Sequence, residues 1–477
     1  MLKKAMNNSA AKAGLGYTIG NVLIRGISFF TLPIFTRLMS TADFGLYMTY
    51  VSYEGILGII VSLGLYASLK AAKADYKERI DHYVSVVSCV PIVFTAFLVV
   101  LLIPFGSLLG KYTGFGRSVL LLMLGQAWSS SVLMMYNARV GLDFAYLNYI
   151  RISVISTVLN VLLSLFLIVF ITPNQPFLGR IMGTSLPFMG IGLVLTVLFF
   201  HRSKPVYDKD TVVYGLKYSL PLVPHGLSQQ ILSQFGKIII QRKIGNDAAG
   251  LYGFAYTIAI IPQVLVTSLD AAWGPWFFEK YSEHKIDLIK QKTIQYVALF
   301  STIIIGLVCV SPEIIRIMGD ISYYPSSYIV CPAILGVFFT FLYGIPVQIE
   351  YFYKKTKYIA IGTMIVAAVN IIACLTLIPR YGYEVAAYIT VVTYAVYFIA
   401  HLLIARGITK KNLPFETRKI ILYVVLVCSV TALSQIFIDR LIVRWIMMFA
   451  VVFAIGYINR EAVKEFAKKD LFLIRRK

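Results

Sequence analysis

The chain has 477 residues, of which 58% are hydrophobic and 14% charged, against about 25% charged in an ordinary soluble domain. That apolar share is enough for about fourteen spans of ~20 residues, more than one soluble core can use. It excludes a soluble enzyme, a nucleic-acid module and a secreted domain together. The formal charge of +22, from 44 Lys and Arg against 22 Asp and Glu, reads as the basic cytoplasmic loops of a membrane protein. Cys89, Cys309, Cys331, Cys374 and Cys428 all sit inside apolar runs, so no disulfide framework is expected. The polar start is short and the first apolar run is long enough to remain a span, so no cleaved leader is expected.

Apolar runs bounded by charge place fourteen helices at roughly 15–36, 44–66, 84–105, 118–138, 152–172, 180–200, 213–240, 249–272, 293–312, 327–349, 358–378, 384–405, 420–438 and 443–459. The runs are continuous rather than alternating, which selects helices over a barrel, since a backbone in lipid must satisfy its own polar groups. With the N-terminus inside, the inner segments collect 32 Lys and Arg, while the outer loops, Arg180 and Arg444 included, hold ten. Both termini are therefore expected in the cytoplasm. The outer loops are short, the longest about 15 residues, which leaves no room for the catalytic domain of a membrane glycan polymerase.

A weak repeat runs through the chain. Arg37, Gly45, Leu46 and Tyr47 of "TRLMSTADFGLY" recur as Arg242, Gly250, Leu251 and Tyr252 of "QRKIGNDAAGLY" at a constant offset of 205. An even number of spans separates the copies, so both have the same orientation, as in parallel lobes related by an axis along the membrane normal. The expected division is a first lobe over 1–212, a second over 213–407, and two further helices with a basic tail over 408–477.

The hairpin just quoted, the seventh-span run "LKYSLPLVPHGLSQQILSQFGKIIIQRKIG" and the following "AGLYGFAYTIAIIPQVLVTSLDAAWGPWF" resemble the polysaccharide exporters and repeat-unit flippases. These form one branch of the multidrug/oligosaccharidyl-lipid/polysaccharide (MOP) exporter superfamily. The resemblance implies an all-α integral membrane protein of fourteen helices in the bacterial cytoplasmic membrane. It implies a transporter rather than an enzyme, carrying an undecaprenyl-pyrophosphate-linked oligosaccharide of O-antigen, capsule or exopolysaccharide type. Membrane lipids, a glycan polymerase and chain-length machinery are the implied partners, and nucleic acid is not one. In that family an Asp often precedes the basic residue late in the seventh helix, whereas here Gly236 precedes Lys237.

Charged groups at mid-bilayer are costly and usually face a cavity or a partner. Arg25 and Glu54 lie at equal depth below the turn at Ser40, about 21–22 Å of helix from it, and are expected to share a cavity and pair. Polar residues recur at helical spacing around them: Tyr17, Asn21, Arg25 and Ser28 on the first span, and Tyr47, Tyr50, Glu54, Gly58 and Ser62 on the second. On the seventh, Gln230, Gln234, Lys237 and Gln241 share a face, with His225 and Gln229 slightly offset, and Pro221 and Pro224 allow a bend. Arg25, Lys237 and Arg242 are the expected pyrophosphate donors, and Asn21, Tyr50, Gln230 and Gln234 the expected sugar contacts. Glu54, His225 and Asp270 are candidates for ion pairing or proton coupling, with Asp270 also readable as an interfacial anchor. Glu350 is expected at the surface against Lys354 or Lys355. No metal-ligand spacing or phosphate-binding Gly-rich loop is present, so no cofactor is expected.

Overall fold

The structure is a computed structural model and describes residues 9–461; the basic tail beyond Glu461 lies outside the described residues. Those residues form helices and no strands. They are α1 (Ser9–Leu38), α2 (Thr41–Ser62), α3 (Leu69–Tyr76), α4 (Ile80–Thr113), α5 (Arg117–Leu142), α6 (Tyr146–Phe166), α7 (Pro176–Arg202), α8 (Lys209–Ser219) and α9 (Val223–Lys243). After them come α10 (Asn246–Ala259), α11 (Ile261–Ser282), α12 (Ile286–Met318), α13 (Ser327–Phe352), α14 (Thr356–Tyr381), α15 (Val385–Ile408), α16 (Thr417–Ile436) and α17 (Leu441–Ile458). Among the described residues, twelve helices are long and apolar enough to cross a membrane. A thirteenth joins them if α10 and the start of α11, bent by 42° at Ile260, count as one span.

The expected seventh span is helical but falls outside that set: α8 has only 11 residues, and α9 carries four glutamines and three cations. The break between them is the 3-10 turn Leu220–Leu222, where Pro221 supplies no N–H and its ring crowds the preceding turn. All the cations assigned to outer loops but Arg440 lie within helices; Arg180 is the fifth residue of α7, and Arg444 sits in α17 with 1% exposure.

The chain groups into two compact units, one of residues 1–253 with 363–383, the other of 254–362 with 384–477. In the first, α1 lies against α6 because Gly16 and Gly20, four apart, leave no side chain between the helices. A Cβ at Gly16 would strike the Tyr146 ring, and one at Gly20 would come within 2.7 Å of Ile150. The repeat is visible as a reciprocal contact between α2 and α10. A Cβ on Gly45 would collide with the Asn246 carbonyl, and a Cβ on Gly250 with the Thr41 carbonyl. Each contact is the image of the other under the offset of 205. Thr41 Oγ1 donates to Asp247 Oδ1 at 2.5 Å beside this crossing.

At one end of the same unit a charge cluster ties three helix ends. Lys73 bonds Asp143 at 3.1 Å, and Arg139 bonds both Asp81, at 2.8 Å, and Asp143. Partial burial pushes the Asp143 carboxyl up, but hydrogen bonds from Arg139 and Lys73 outweigh it and hold the group below its ordinary value.

Two outcomes follow from this packing. Gly250→Leu should lower stability by at least about 1–3 kcal/mol, since backbone atoms cannot step aside as a side chain can. Gly26→Ala, with nothing within 4 Å of its Cβ, should be neutral or stabilise by up to about 1 kcal/mol; melting curves of the purified variants in detergent decide. For Asp143, a lowered carboxyl stabilises above its unfolded pKa of about 3.9, and that stabilisation is lost as pH falls through the lower folded value. Asp143→Asn should therefore be less stable than the parent at neutral pH, by under about 1 kcal/mol for so exposed a group. The two melting temperatures should converge below about pH 4.

Candidate functional site

Helix α2 organises the polar interior of the first unit. Ser40 caps its start by accepting from the Asp43 N–H at 3.1 Å, and left-handed Leu63 (φ 47°) and Gly64 (φ 67°) end it. Its two sides carry different chemistry. On one, Tyr50, fully buried, donates to Gln126 Oε1 at 3.0 Å and lies 2.7 Å from Ser185 Oγ, which itself donates to Gln126 at 2.7 Å. One turn further, Glu54 Oε1 accepts from Ser130 Oγ at 2.7 Å. On the other side α2 meets α9. Ser52 Oγ and Lys237 Nζ both donate to Gln234 Oε1, at 3.2 and 3.0 Å, and Gln230 lies across from Gly55. The stripe predicted on α2 thus packs inward against α5 and α7, and that on α9 packs against the Ser52–Gly55 side.

The expected Arg25–Glu54 pair does not form. Arg25 is exposed, and no carboxylate among the described residues lies within 4.0 Å of it. The reason is the lean of α1 onto α6, where Tyr149 Oη donates to Asn21 Oδ1 at 2.6 Å, while Glu54 is turned to Ser130. Lys237 is buried, at 6% exposure. Arg242 is exposed, with its guanidinium 5.2 Å from the Tyr112 ring centre, and its neighbour Gln241 donates to Asn246 Oδ1 at 3.0 Å. His225 is half-buried, and its Nδ1 has no hydrogen-bond partner. Asp270 belongs to the second unit. It is half-buried and accepts from Tyr296 Oη at 3.2 Å, with Trp273 stacked on that tyrosine at 4.9 Å between ring centres. The structure brings Gln230, Gln234 and Lys237 together on α9 against α2, and leaves Arg25 and Arg242 exposed.

Sequence reasoning missed two features. The first is Arg180, whose Nη1 donates to Asn160 Oδ1 at 2.7 Å and to Ser164 Oγ at 2.8 Å. Its guanidinium lies 3.8 Å from the Phe35 ring centre and 4.8 Å from that of Tyr47. No carboxylate among the described residues is within 4.0 Å of it. The available signal was a pair of polar spacings, Asn160 with Ser164 facing Arg180 with Thr184, each four apart. The second is Glu350. It is fully buried, not at the surface against lysine: its Oε1 lies 2.5 Å from His401 Nδ1, itself fully buried. Glu350 Oε2 and His401 Nε2 have no partner, and Tyr397 packs edge-on at 4.4 Å between ring centres. The run of lysines after Glu350 pointed outward, but α13 turns the carboxylate into α15. Among the described residues no cluster of His, Cys, Asp and Glu can hold a metal ion.

Breaking this pair gives a sharp test of its burial. His401→Ala should cost about 3–5 kcal/mol by stranding the carboxylate, whereas Lys354→Ala and Lys355→Ala should stay within about 0.5 kcal/mol of the parent. Equal melting temperatures for all three would place Glu350 at the surface after all.

Comparison with known proteins follows from this geometry. Residues 11–280 match the family model described as polysaccharide biosynthesis protein. A stretch of 158 residues is 25% identical to an Lsg-locus protein of Haemophilus influenzae (strain ATCC 51907 / DSM 11121 / KW20 / Rd), covering 32% of this chain and 38% of that relative's length. In fold the chain is similar to the lipid II flippase MurJ in an inward closed conformation. The TM-score is 0.73 at 15% identity, over 94% of this chain and 99% of that one. It is also similar to an inward-facing multidrug resistance MATE family transporter of the MOP superfamily. There the TM-score is 0.61 at 14% identity, over 82% of this chain and 96% of that one. The fold is that of the MOP superfamily.

Proposed function

The chain belongs to the polysaccharide biosynthesis protein family, and from that premise we propose that it is a flippase for an undecaprenyl-pyrophosphate-linked oligosaccharide repeat unit. It sits in the bacterial cytoplasmic membrane with both termini inside, as the distribution of Lys and Arg favours. Translocation is by alternating access between lobes 1–212 and 213–407, with residues 408–477 appended. The isoprenoid stays in the bilayer while pyrophosphate and glycan cross. No bond is made or broken, and membrane lipids, a polymerase and chain-length machinery are its expected partners.

The observation that carries this reading is the family match over the first half of the chain. The chemistry of the first unit agrees with it. Arg25 has no carboxylate beside it, and the single acid of α2 at that depth, Glu54, is bound to a serine. An anionic headgroup finds cations there, with Arg able to grip phosphate oxygens in bidentate fashion. Gln230, Gln234, Asn21 and Tyr50 supply amides and hydroxyls for sugar. A cation exporter would instead want exposed acids. The reading with a peptidoglycan lipid precursor as cargo is favoured by the fold likeness to a lipid II flippase, and the same headgroup chemistry serves both.

Deleting the gene and identifying the lipid that accumulates on the cytoplasmic leaflet separates the two. A pyrophosphate-linked oligosaccharide repeat unit supports the proposal, and the peptidoglycan precursor overturns its cargo. Arg25→Gln should reduce surface glycan at least about tenfold, the ~1.5–3 kcal/mol value of a charged hydrogen bond, with membrane levels unchanged. Undiminished export would remove Arg25 from cargo binding. The exchange Arg25→Glu with Glu54→Arg should not restore export, because the two side chains do not pair.

A further inference from the structure

Four helix ends of the second unit enclose a cavity of about 600 Å3. Tyr281 comes from the last turn of α11, Lys290 from the start of α12, Tyr353 caps α13, and Thr409, Lys410 and Asn412 follow α15. Helix ends mark the level where the hydrocarbon gives way to headgroups, and tyrosine and lysine are the residues that suit that level.

The polar groups there have a consistent bias. Tyr281 and Tyr353 bring their hydroxyls within 3.3 Å of each other, and Thr409 and Asn412 add a hydroxyl and an amide. Lys290 has one carboxylate near, Asp287 at 3.4 Å, and that carboxylate is fully exposed. Lys410 has no carboxylate within 4.0 Å among the described residues. The other acids of these segments are engaged elsewhere: Glu279 with Lys280, Glu283 with Lys280 and Lys285, and Glu416 with Lys419. Ile286, Ile408 and Leu413 supply the apolar lining, and Tyr281 is held by stacking on Phe277 at 5.4 Å and an edge-on contact with Phe352 at 4.7 Å behind it.

We propose that this cavity binds the headgroup of an anionic phospholipid. Basic pockets between transmembrane helices on the cytoplasmic side take such headgroups. A phosphodiester meets the two ammonium groups and the tyrosine hydroxyls, and headgroup hydroxyls meet Thr409 and Asn412. A lipid is favoured over free phosphate because the helices that supply the cavity continue as exposed apolar surface. Leu299 of α12 is 52% exposed, and Ile399 and Leu403 of α15 are 53% and 60% exposed, a bed for acyl chains. The bound lipid ties the ends of α11, α12, α13 and α15 together.

The test uses the full-length protein purified in neutral detergent and titrated with phosphatidylglycerol, phosphatidylcholine or inorganic phosphate. Melting temperature and lipid retained in native mass spectra are the readouts. Phosphatidylglycerol should bind about 25-fold tighter than phosphatidylcholine, as two lysines at about fivefold each imply. Inorganic phosphate at the same concentration should leave the melting temperature unchanged. Lys290→Gln with Lys410→Gln should abolish most of the preference, whereas Lys204→Gln with Lys209→Gln, equal in charge and in a different unit, should retain it. Lys410→Gln alone, an exposed change, should give a partial loss if the double variant proves unstable. Equal binding of the two lipids, an equal effect of inorganic phosphate, or an equal loss from the remote pair would overturn the proposal.

Discussion

A bilayer offers no water to a stranded polar group, so each amide, hydroxyl or charge in these helices must find its partner in protein. That constraint explains why α2 is so central to the first unit. It carries polar residues on more than one side, and each side has a helix with matching donors or acceptors. Gln126 and Ser185 take Tyr50, Ser130 takes Glu54, and Gln234 takes Ser52. The polar residues are therefore not simply a wet lining. They also fix the rotation of α2 about its axis, because turning it would break several buried bonds at once. Any movement that carries cargo must keep these bonds or exchange them for others of equal number.

The close crossing of α2 and α10 shows a second use of sequence economy. Two backbones can approach this near only where neither has a side chain, and Gly45 and Gly250 provide that on both helices. Because each collides with the image of the other's neighbour, one duplicated glycine solves both halves of the contact. Arg37 and Arg242, the cations that accompany the glycines in the repeat, are not part of the crossing. Arg37 instead donates to the Pro33 carbonyl of its own helix at 2.9 Å, and Arg242 lies over Tyr112.

What the sequence made legible follows from which signals are local. Apolar runs, the bend allowed by Pro221 and the duplicated hairpin all depend on neighbours along the chain. The bend and the hairpin appear in the structure, and twelve or thirteen of the fourteen expected spans are long and apolar enough to cross a membrane among the described residues. Helical spacing correctly grouped Gln230, Gln234 and Lys237 on one face. It did not say which helix that face meets, because a period reports rotation relative to the same helix only. The Arg25–Glu54 expectation failed for this reason: the azimuth of α1 was set by Gly16 and Gly20 against α6. Glu350 failed differently. Its partner His401 is 51 residues away, in a helix that also carries tyrosines, threonines and Arg406, and nothing near either residue marks the pairing. The lysines that follow Glu350 in sequence supplied a plausible local partner, and the long-range one won because a buried carboxylate needs a donor that is also buried.

The two units handle buried charge in opposite ways. In the second, two buried pairs of opposite type form: Arg444 bonds Glu313 and the Cys309 carbonyl, and His401 meets Glu350. Such pairs close on themselves and leave little field outside. In the first, Arg180 is held by an asparagine, a serine and two aromatic rings, and Lys237 donates to a glutamine. Neutral dipoles orient a cation and lower the cost of its burial, but they do not cancel its charge, so a positive potential extends from them through a medium of low dielectric. A cation held in this way repels other cations and attracts anions.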